Sequence, residues 1–269
     1  MRYERGSINI SAARDVPLLQ QVLRSSFITG SQLFDFLQMG SLERSERAFH
    51  HRLHRLIKHG LIEKQRVMIH DRGPIYALTT AGLSLLTDLG ELYAGRSGIE
   101  SANDGFFHWL EINDLHLALL RAGVLAHWIP STEICSQNDL TTFRYAKDYD
   151  AVVSVRWKGS EFRFAFEYER TAKTLTRYLG ICDVLESDMH VNVILYAAAN
   201  YHLMCFLRDN LQSRKKTVCI GLMNELRDQS LGARVMVGGT SRPAAPFHDI
   251  LMSCVDARNI PQIVDLSLA

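Results

Sequence analysis

Four carboxylates, set in two pairs, are the residues of this chain whose types and spacing best suit chemistry. Asp148 and Asp150 stand two apart in DYDAVVSV, and Glu167 and Glu169 stand two apart in FAFEYER. Both segments alternate apolar and polar residues, the pattern of a half-buried strand, and a period of two puts each pair on one face. Hard oxygen ligands converging from adjacent strands can hold Mg²⁺, which activates water and stabilises a leaving phosphate oxygen. The same spacing also suits an ion-paired hairpin, in which Arg163, Arg170 and Arg177 neutralise the acids and no metal is needed. Lys173, about one helical turn beyond Glu169, offers an ammonium to either arrangement.

A second concentration of functional side chains is cationic and lies near the start. Residues 1–90 carry 12 Lys/Arg against 8 Asp/Glu, while the remainder carries 18 against 21. Five of the 11 histidines fall between His50 and His70. The first third is therefore where a polyanionic partner is expected. In ERSERAFHHRLHRLIKHG, the apolar residues Phe49, Leu53, Leu56 and Ile57 recur at helical spacing. Arg44, Arg47, His51, His54 and Lys58 fall in an arc on the opposite side, with Arg55 adding a further cation, and that arc contains no acid.

These residues need elements to position them. Leu18, Leu19, Val22 and Leu23 predict a first helix over 14–26. A turn at Gly30 with Ser31 as N-cap predicts a second helix, and a third spans 42–59 and stops at Gly60. LIEKQRVMI (61–69) and IYAL (75–78) read as strands joined by the turn HDRGP, with Arg72 at its tip. TTAGLSLLTDL then opens a helix capped by Thr79 or Thr80. The polar, glycine-bearing segment 91–105 reads as a linker. Beyond it come a helix over 106–122, strands over 127–134, 149–156 and 162–169, and a helix over 171–187. The buried strand VNVILYAAA, a helix NYHLMCFLRDNL and the strand KTVCIGLM follow. Strands alternating with helices predict a mixed sheet, so the class is α/β in the second part and α+β overall. On the helix over 106–122, His108 and Glu111 share a face, a spacing too common to name a metal site. His116 continues that pattern only loosely and reads as a structural histidine.

Bulk properties set outer limits. With 47% apolar and 22% charged residues the chain is an ordinary globular protein with a real core. No apolar run reaches the roughly 20 residues that cross a bilayer, and the N-terminus lacks a signal-peptide core. Five scattered cysteines, none in a CxxC pair, read as reduced packing residues of a cytoplasmic protein.

Three resemblances sharpen these expectations. Residues 13–90, with RLHRLIKHGLIEK followed by a hairpin and YALTTAG, resemble a winged helix-turn-helix. That implies double-stranded DNA as partner, with Arg44, Arg47, His51, His54, Arg55, Lys58 and Arg72 as its contacts. Residues 106–197 resemble the PD-(D/E)xK nuclease-like core. On that pattern Asp150 takes the place of the first acid, Glu167 of the second and Glu169 of the usual lysine, while Glu111 matches an acid on the first helix. Two departures stand out: Tyr149 replaces the usual proline, and Glu169 the lysine that orients water. HWLEIND (108–114), DYDAVVSV (148–155), FAFEYERTAKT (164–174) and RYLG (177–180) together resemble the replication-relaxation family. Its members look like DNA-binding proteins of plasmids, phages and integrating conjugative elements with a nuclease-like second domain.

The expectation is thus a winged helix over 1–90, a linker over 91–105, and an α/β domain with a C-terminal extension over 106–269. Function is expected in DNA-bound regulation as a homodimer, without cofactor, cleavage or membrane. DILMSCV (249–255) and IPQIVDLSL (260–268) are the segments expected at the dimer surface. The alternative is a Mg-dependent endonuclease or nickase of plasmid or conjugative-element replication, with Asp150, Glu167 and Glu111 on the metal and Glu169 or Lys173 handling the water.

Overall fold

The structure, a computed structural model, describes residues 8–69, 72–90 and 105–255. The fold is α+β, with ten α-helices, a three-stranded sheet and a mixed seven-stranded sheet among the described residues. By packing, the chain divides into two compact units, residues 1–153 and 154–269. The expected linker falls, apart from Gly105, outside the described residues, as does IPQIVDLSL. Among the described residues no helix is long and apolar enough to cross a membrane.

The first unit begins with α1 (Asp15–Ser25), β1 (Ile28–Thr29), α2 (Gly30–Met39) and α3 (Glu46–Lys58). The strands β2 (Ile62–Ile69) and β3 (Gly73–Leu78) and the helix α4 (Thr80–Asp88) follow. The small sheet has the order β1-β3-β2, all antiparallel. Leu18, Leu19, Val22, Leu33, Phe49 and Leu56 are fully buried in one core of this unit. α2 starts at Gly30 itself, where the sequence predicts a turn. Thr29, not Ser31, is its cap: the Thr29 hydroxyl accepts from the Gln32 N–H, and the Gln32 side-chain carbonyl accepts from the Thr29 N–H. Gln32 supplies the reciprocal half of a capping box, and that settles the start.

α3 begins after the Ser45 cap, four residues later than the sequence predicts, because Ser45 offers its hydroxyl to a free N–H, that of Ala48. It ends as the sequence predicts. Gly60 has φ +69°, its N–H donates to the Ile57 carbonyl, and Leu61 N–H donates to the Leu56 carbonyl. This paired closure needs a left-handed residue, which glycine supplies without a Cβ clash.

The unit continues with α5 (Gly105–Arg121), β4 (Leu125–Pro130), α6 (Ser131–Leu140) and the start of β5 (Ala151–Trp157). Phe106 and Leu110 of α5 are buried with Phe27, Ile75 and Ala77 of the small sheet and its approach. The strand expected through residue 134 stops at Pro130, and residues 131–140 are helical instead. Pro130, in extended geometry, immediately precedes the first helical residue, and STEICSQNDL lacks the alternation that a strand requires.

In the second unit the rest of β5 is followed by β6 (Ser160–Glu169), α7 (Leu175–Ser187), β7 (Val193–Ala198), α8 (Tyr201–Asn210) and β8 (Thr217–Leu222). The segment 171–174 is not helical; α7 waits for the Thr174 cap, whose hydroxyl accepts from the Arg177 N–H. Strands β6, β7 and β8 pair in parallel, which demands the crossovers that α7 and α8 provide. Every residue of β7 is buried, as its continuous apolar run predicts. α9 (Met223–Gln229), β9 (Arg234–Val237), β10 (Ala245–Pro246) and α10 (Phe247–Val255) complete the chain's described part. β9 turns antiparallel against β8. The seven-stranded sheet has the order β10-β9-β8-β7-β6-β5-β4, and the division between units falls within β5.

Candidate functional site

α3 has two charged faces with opposite fates. On its outer face Arg47, His51, His54 and Lys58 are exposed, as is Arg44 just before the helix. Among the described residues these five side chains make no ion pair. On its inner edge, Arg52 and Arg55 are engaged by buried acids. Asp15 is wholly buried; its Oδ2 accepts from Arg55 Nη2 at 2.6 Å and its Oδ1 from Arg52 Nη1 at 3.4 Å. Arg52 Nη2 also reaches Glu43 Oε2 at 3.1 Å. Burial alone would raise the Asp15 carboxyl; the Ser11 N–H, Arg55 and Arg52 outweigh it and bring the pKa below its ordinary value. This clamp fixes α1 to α3 and so sets which residues of α3 point outward. Arg55 of the expected DNA-contact set belongs to it.

The HWLEIND segment forms a junction. Asn113, on α5, donates to the Phe27 carbonyl at 2.8 Å. Asp114 accepts from Gln32 Nε2 at 2.6 Å through Oδ1, and from Arg72 Nη1 at 2.6 Å through Oδ2. Gln32 Nε2 also donates to the Leu110 carbonyl at 2.8 Å. Arg72, expected to reach DNA from the hairpin turn, is therefore ion-paired to α5. At the other end of the motif, His108 Nε2 lies 3.0 Å from Asp150 Oδ1. Asp150 leads directly into β5, and its carbonyl accepts from the Ser131 N–H at 3.1 Å. Asp148 accepts from Asn138 Nδ2 at 2.8 Å.

Further along α5, His116 serves packing. Its ring stacks on Trp128 at 4.3 Å and 6° and lies 4.8 Å from the Phe36 ring. Burial among these rings, with Arg24 nearby, pushes its pKa down to about 3, so it packs as a neutral aromatic.

In the second unit Glu167 and Glu169 lie at the C-terminal end of β6, both buried, in register with Tyr196 and Ala198 of β7. The Glu169 carboxylate is ion-paired with the Lys173 ammonium. The Lys173 N–H donates to the hydroxyl of Tyr178, itself fully buried on α7, at 3.1 Å. Burial raises the Tyr178 pKa, with the Lys173 N–H opposing and Glu169 adding to the rise. Lys173 is thus fixed at both its backbone and its side chain. Among the described residues, no three His, Cys, Asp or Glu side chains gather as a group that could hold a metal ion. Glu111 is half-buried on α5.

What sequence reasoning missed is the set of acids that answer the cations. Asp15, Glu43 and Asp114 lie 37, 9 and 42 residues from their arginines, and no local spacing signals such pairs. Only Lys173, four residues from Glu169, stands at a legible distance.

A helix-and-hairpin unit with an outward cationic helix, followed by a mixed sheet with acids at one strand end, defines an α+β protein of two compact units. The chain belongs to the replication-relaxation family, whose model matches residues 19–185. Membership points to a role in replication or in a mobile-element setting. No curated protein and no solved structure matches the chain.

Proposed function

We propose that this protein binds double-stranded DNA through a winged helix-turn-helix formed by α1 to α4 and the β2–β3 hairpin, and acts as a transcriptional regulator of its own mobile element. α3 is the helix that enters the major groove, with Arg47, His51, His54 and Lys58 toward the duplex and Arg44 at its entry. The observation that carries the reading is the outer face of α3 together with Arg44 just before it, where all five side chains are exposed. The same helix ties Arg52 and Arg55 to acids, so the outward cations are the ones left for a polyanion.

One copy of so short a helix grips few base pairs. A homodimer reading two half-sites about one helical turn apart would raise affinity, and the second unit is its proposed contact surface. In this reading the acids of β6 are structural, with Glu169 neutralised by Lys173.

A second reading, a Mg-dependent endonuclease or nickase, draws on one observation in the second unit. Two carboxylates lie buried at the end of β6, and an ammonium is paired with one of them. There Glu167 would be a metal ligand and Lys173 would orient water. Supercoiled DNA bearing the protein's own upstream region, mixed with it in Mg²⁺ or in EDTA, separates the two. A shift with intact DNA in both conditions supports the regulator. Nicked or linear product only in Mg²⁺, lost in Glu167→Gln, establishes the nuclease instead.

A further inference from the structure

Arg72 and Asp114 form the one ion pair that joins the hairpin turn to α5 among the described residues, and its two partners are unequally held. Asp114 is fixed through Oδ1 by Gln32, whose side chain is committed twice more, to the Thr29 N–H and the Leu110 carbonyl. Gln32 is 5% exposed. Arg72 bonds the other carboxylate oxygen, and both of these side chains keep contact with solvent. The carboxylate is therefore anchored and the guanidinium is the half that can leave. A guanidinium binds carboxylate and phosphate with the same planar donors, and either can replace the other.

We infer that Asp114 is a positioning residue that occupies Arg72 as a DNA phosphate would, so that a duplex must compete with an internal carboxylate for this side chain. The inference rests on the DNA-binding reading above. It makes Arg72 a conditional contact: weak phosphate encounters leave it on Asp114, while a duplex seated on α3 takes it over. Non-specific binding, which depends on phosphate contacts alone, is held down more than specific binding. By contrast, the Asp15 carboxylate is wholly buried against Arg52 and Arg55 and offers no such exchange.

The test uses the full chain and two labelled duplexes, one carrying its upstream region and one of unrelated sequence, each titrated across a salt series. Asp114→Asn keeps an oxygen to accept from Gln32 and removes the charge. It should bind the unrelated duplex about three- to tenfold more tightly at low salt, with a salt slope steeper by about one phosphate contact, and leave the slope on the upstream duplex unchanged. Asp114→Glu should restore the wild-type slope, and the gain should vanish when Arg72→Ala is added. Unchanged or weaker binding of the unrelated duplex by a folded Asp114→Asn overturns the inference, as does a gain that survives Arg72→Ala. Should Asp114→Asn not fold, Arg72→Ala decides: a slope lower by about one contact on the upstream duplex but unchanged on the unrelated one supports the exchange, and equal slope changes on the two overturn it. Arg47→Ala with His51→Ala separates the two levels, since intact binding there sinks the DNA-binding reading itself.

Discussion

The outer face of α3 and the end of β6 are both charged, and the two handle charge in opposite ways. On α3 and just before it five basic residues face solvent, and none of them makes an ion pair among the described residues. On β6 two acids are buried, and the fold meets Glu169 with Lys173 from the segment that follows. Exposed charges cost the fold little and remain available to a partner, whereas buried charges demand compensation and become part of the structure. The inner edge of α3 repeats the second pattern within the same helix, where Asp15 and Glu43 hold Arg52 and Arg55. The difference therefore follows burial, not element or sign.

Removing a compensating partner is the hardest test of this contrast. Asp15→Ala leaves Arg52 and Arg55 without their shared carboxylate and should cost about 3 kcal/mol in urea unfolding. The Asp15 pKa is lowered in the folded state. Its stabilisation is thus present above the unfolded carboxyl value and lost as pH falls through the folded one. The wild-type protein should lose stability over that acidic window more steeply than the variant. A variant as stable as the wild type would show the clamp to be ornamental.

Lys173→Ala comes next. It strands the buried Glu169 and should destabilise by about 2 kcal/mol, while Glu169→Gln with Lys173→Ala should cost less than the two single changes added together. Additive losses in that cycle would mean that the pair is not coupled.

His116 tests burial without an ion pair. Its folded pKa of about 3 lies below the unfolded value of 6.5, so the unfolded chain takes up a proton that the folded one refuses. Its stabilisation is complete above pH 6.5 and declines as pH falls toward 3. The residue keeps partial contact with solvent, which softens the penalty. Between pH 7 and pH 5 the wild type should therefore lose about 1 kcal/mol more than His116→Phe, which keeps an aromatic ring between Trp128 and Phe36. Parallel pH profiles would break the assignment. At the small end, Arg47→Ala should shift stability by less than about 0.5 kcal/mol, because an exposed cation serves no fold contact.

Much of the architecture was legible because its signals are local. The apolar spacing of α3, Gly60 at its end and the Thr79 cap of α4 each act within one or two turns, and the continuous apolar run of β7 marks a buried parallel strand. α6 escaped because STEICSQNDL has no strong apolar face, although Pro130 before it was a usable start signal. The elements after β8 are short, and β10 has only two residues, too few to show any period. Among the candidate sites, the outward cations of α3 were legible from periodicity alone. The pairing of Arg72 with Asp114 and of Arg55 with Asp15 was not, since each joins residues about forty positions apart. Tertiary packing selects such partners, and sequence spacing carries no trace of it.

In the proposed reading the outward face of α3 grips duplex DNA. The most direct measurement compares wild type with Arg47→Ala/His51→Ala for binding to a labelled duplex from 50 to 200 mM salt, a range across which about six to ten phosphate contacts lower affinity by roughly 10³ to 10⁵. The wild type should bind in a salt-dependent way, and the double variant should lose that binding while melting at an unchanged temperature. Equal binding by the two folded proteins, with the same salt slope, would contradict it.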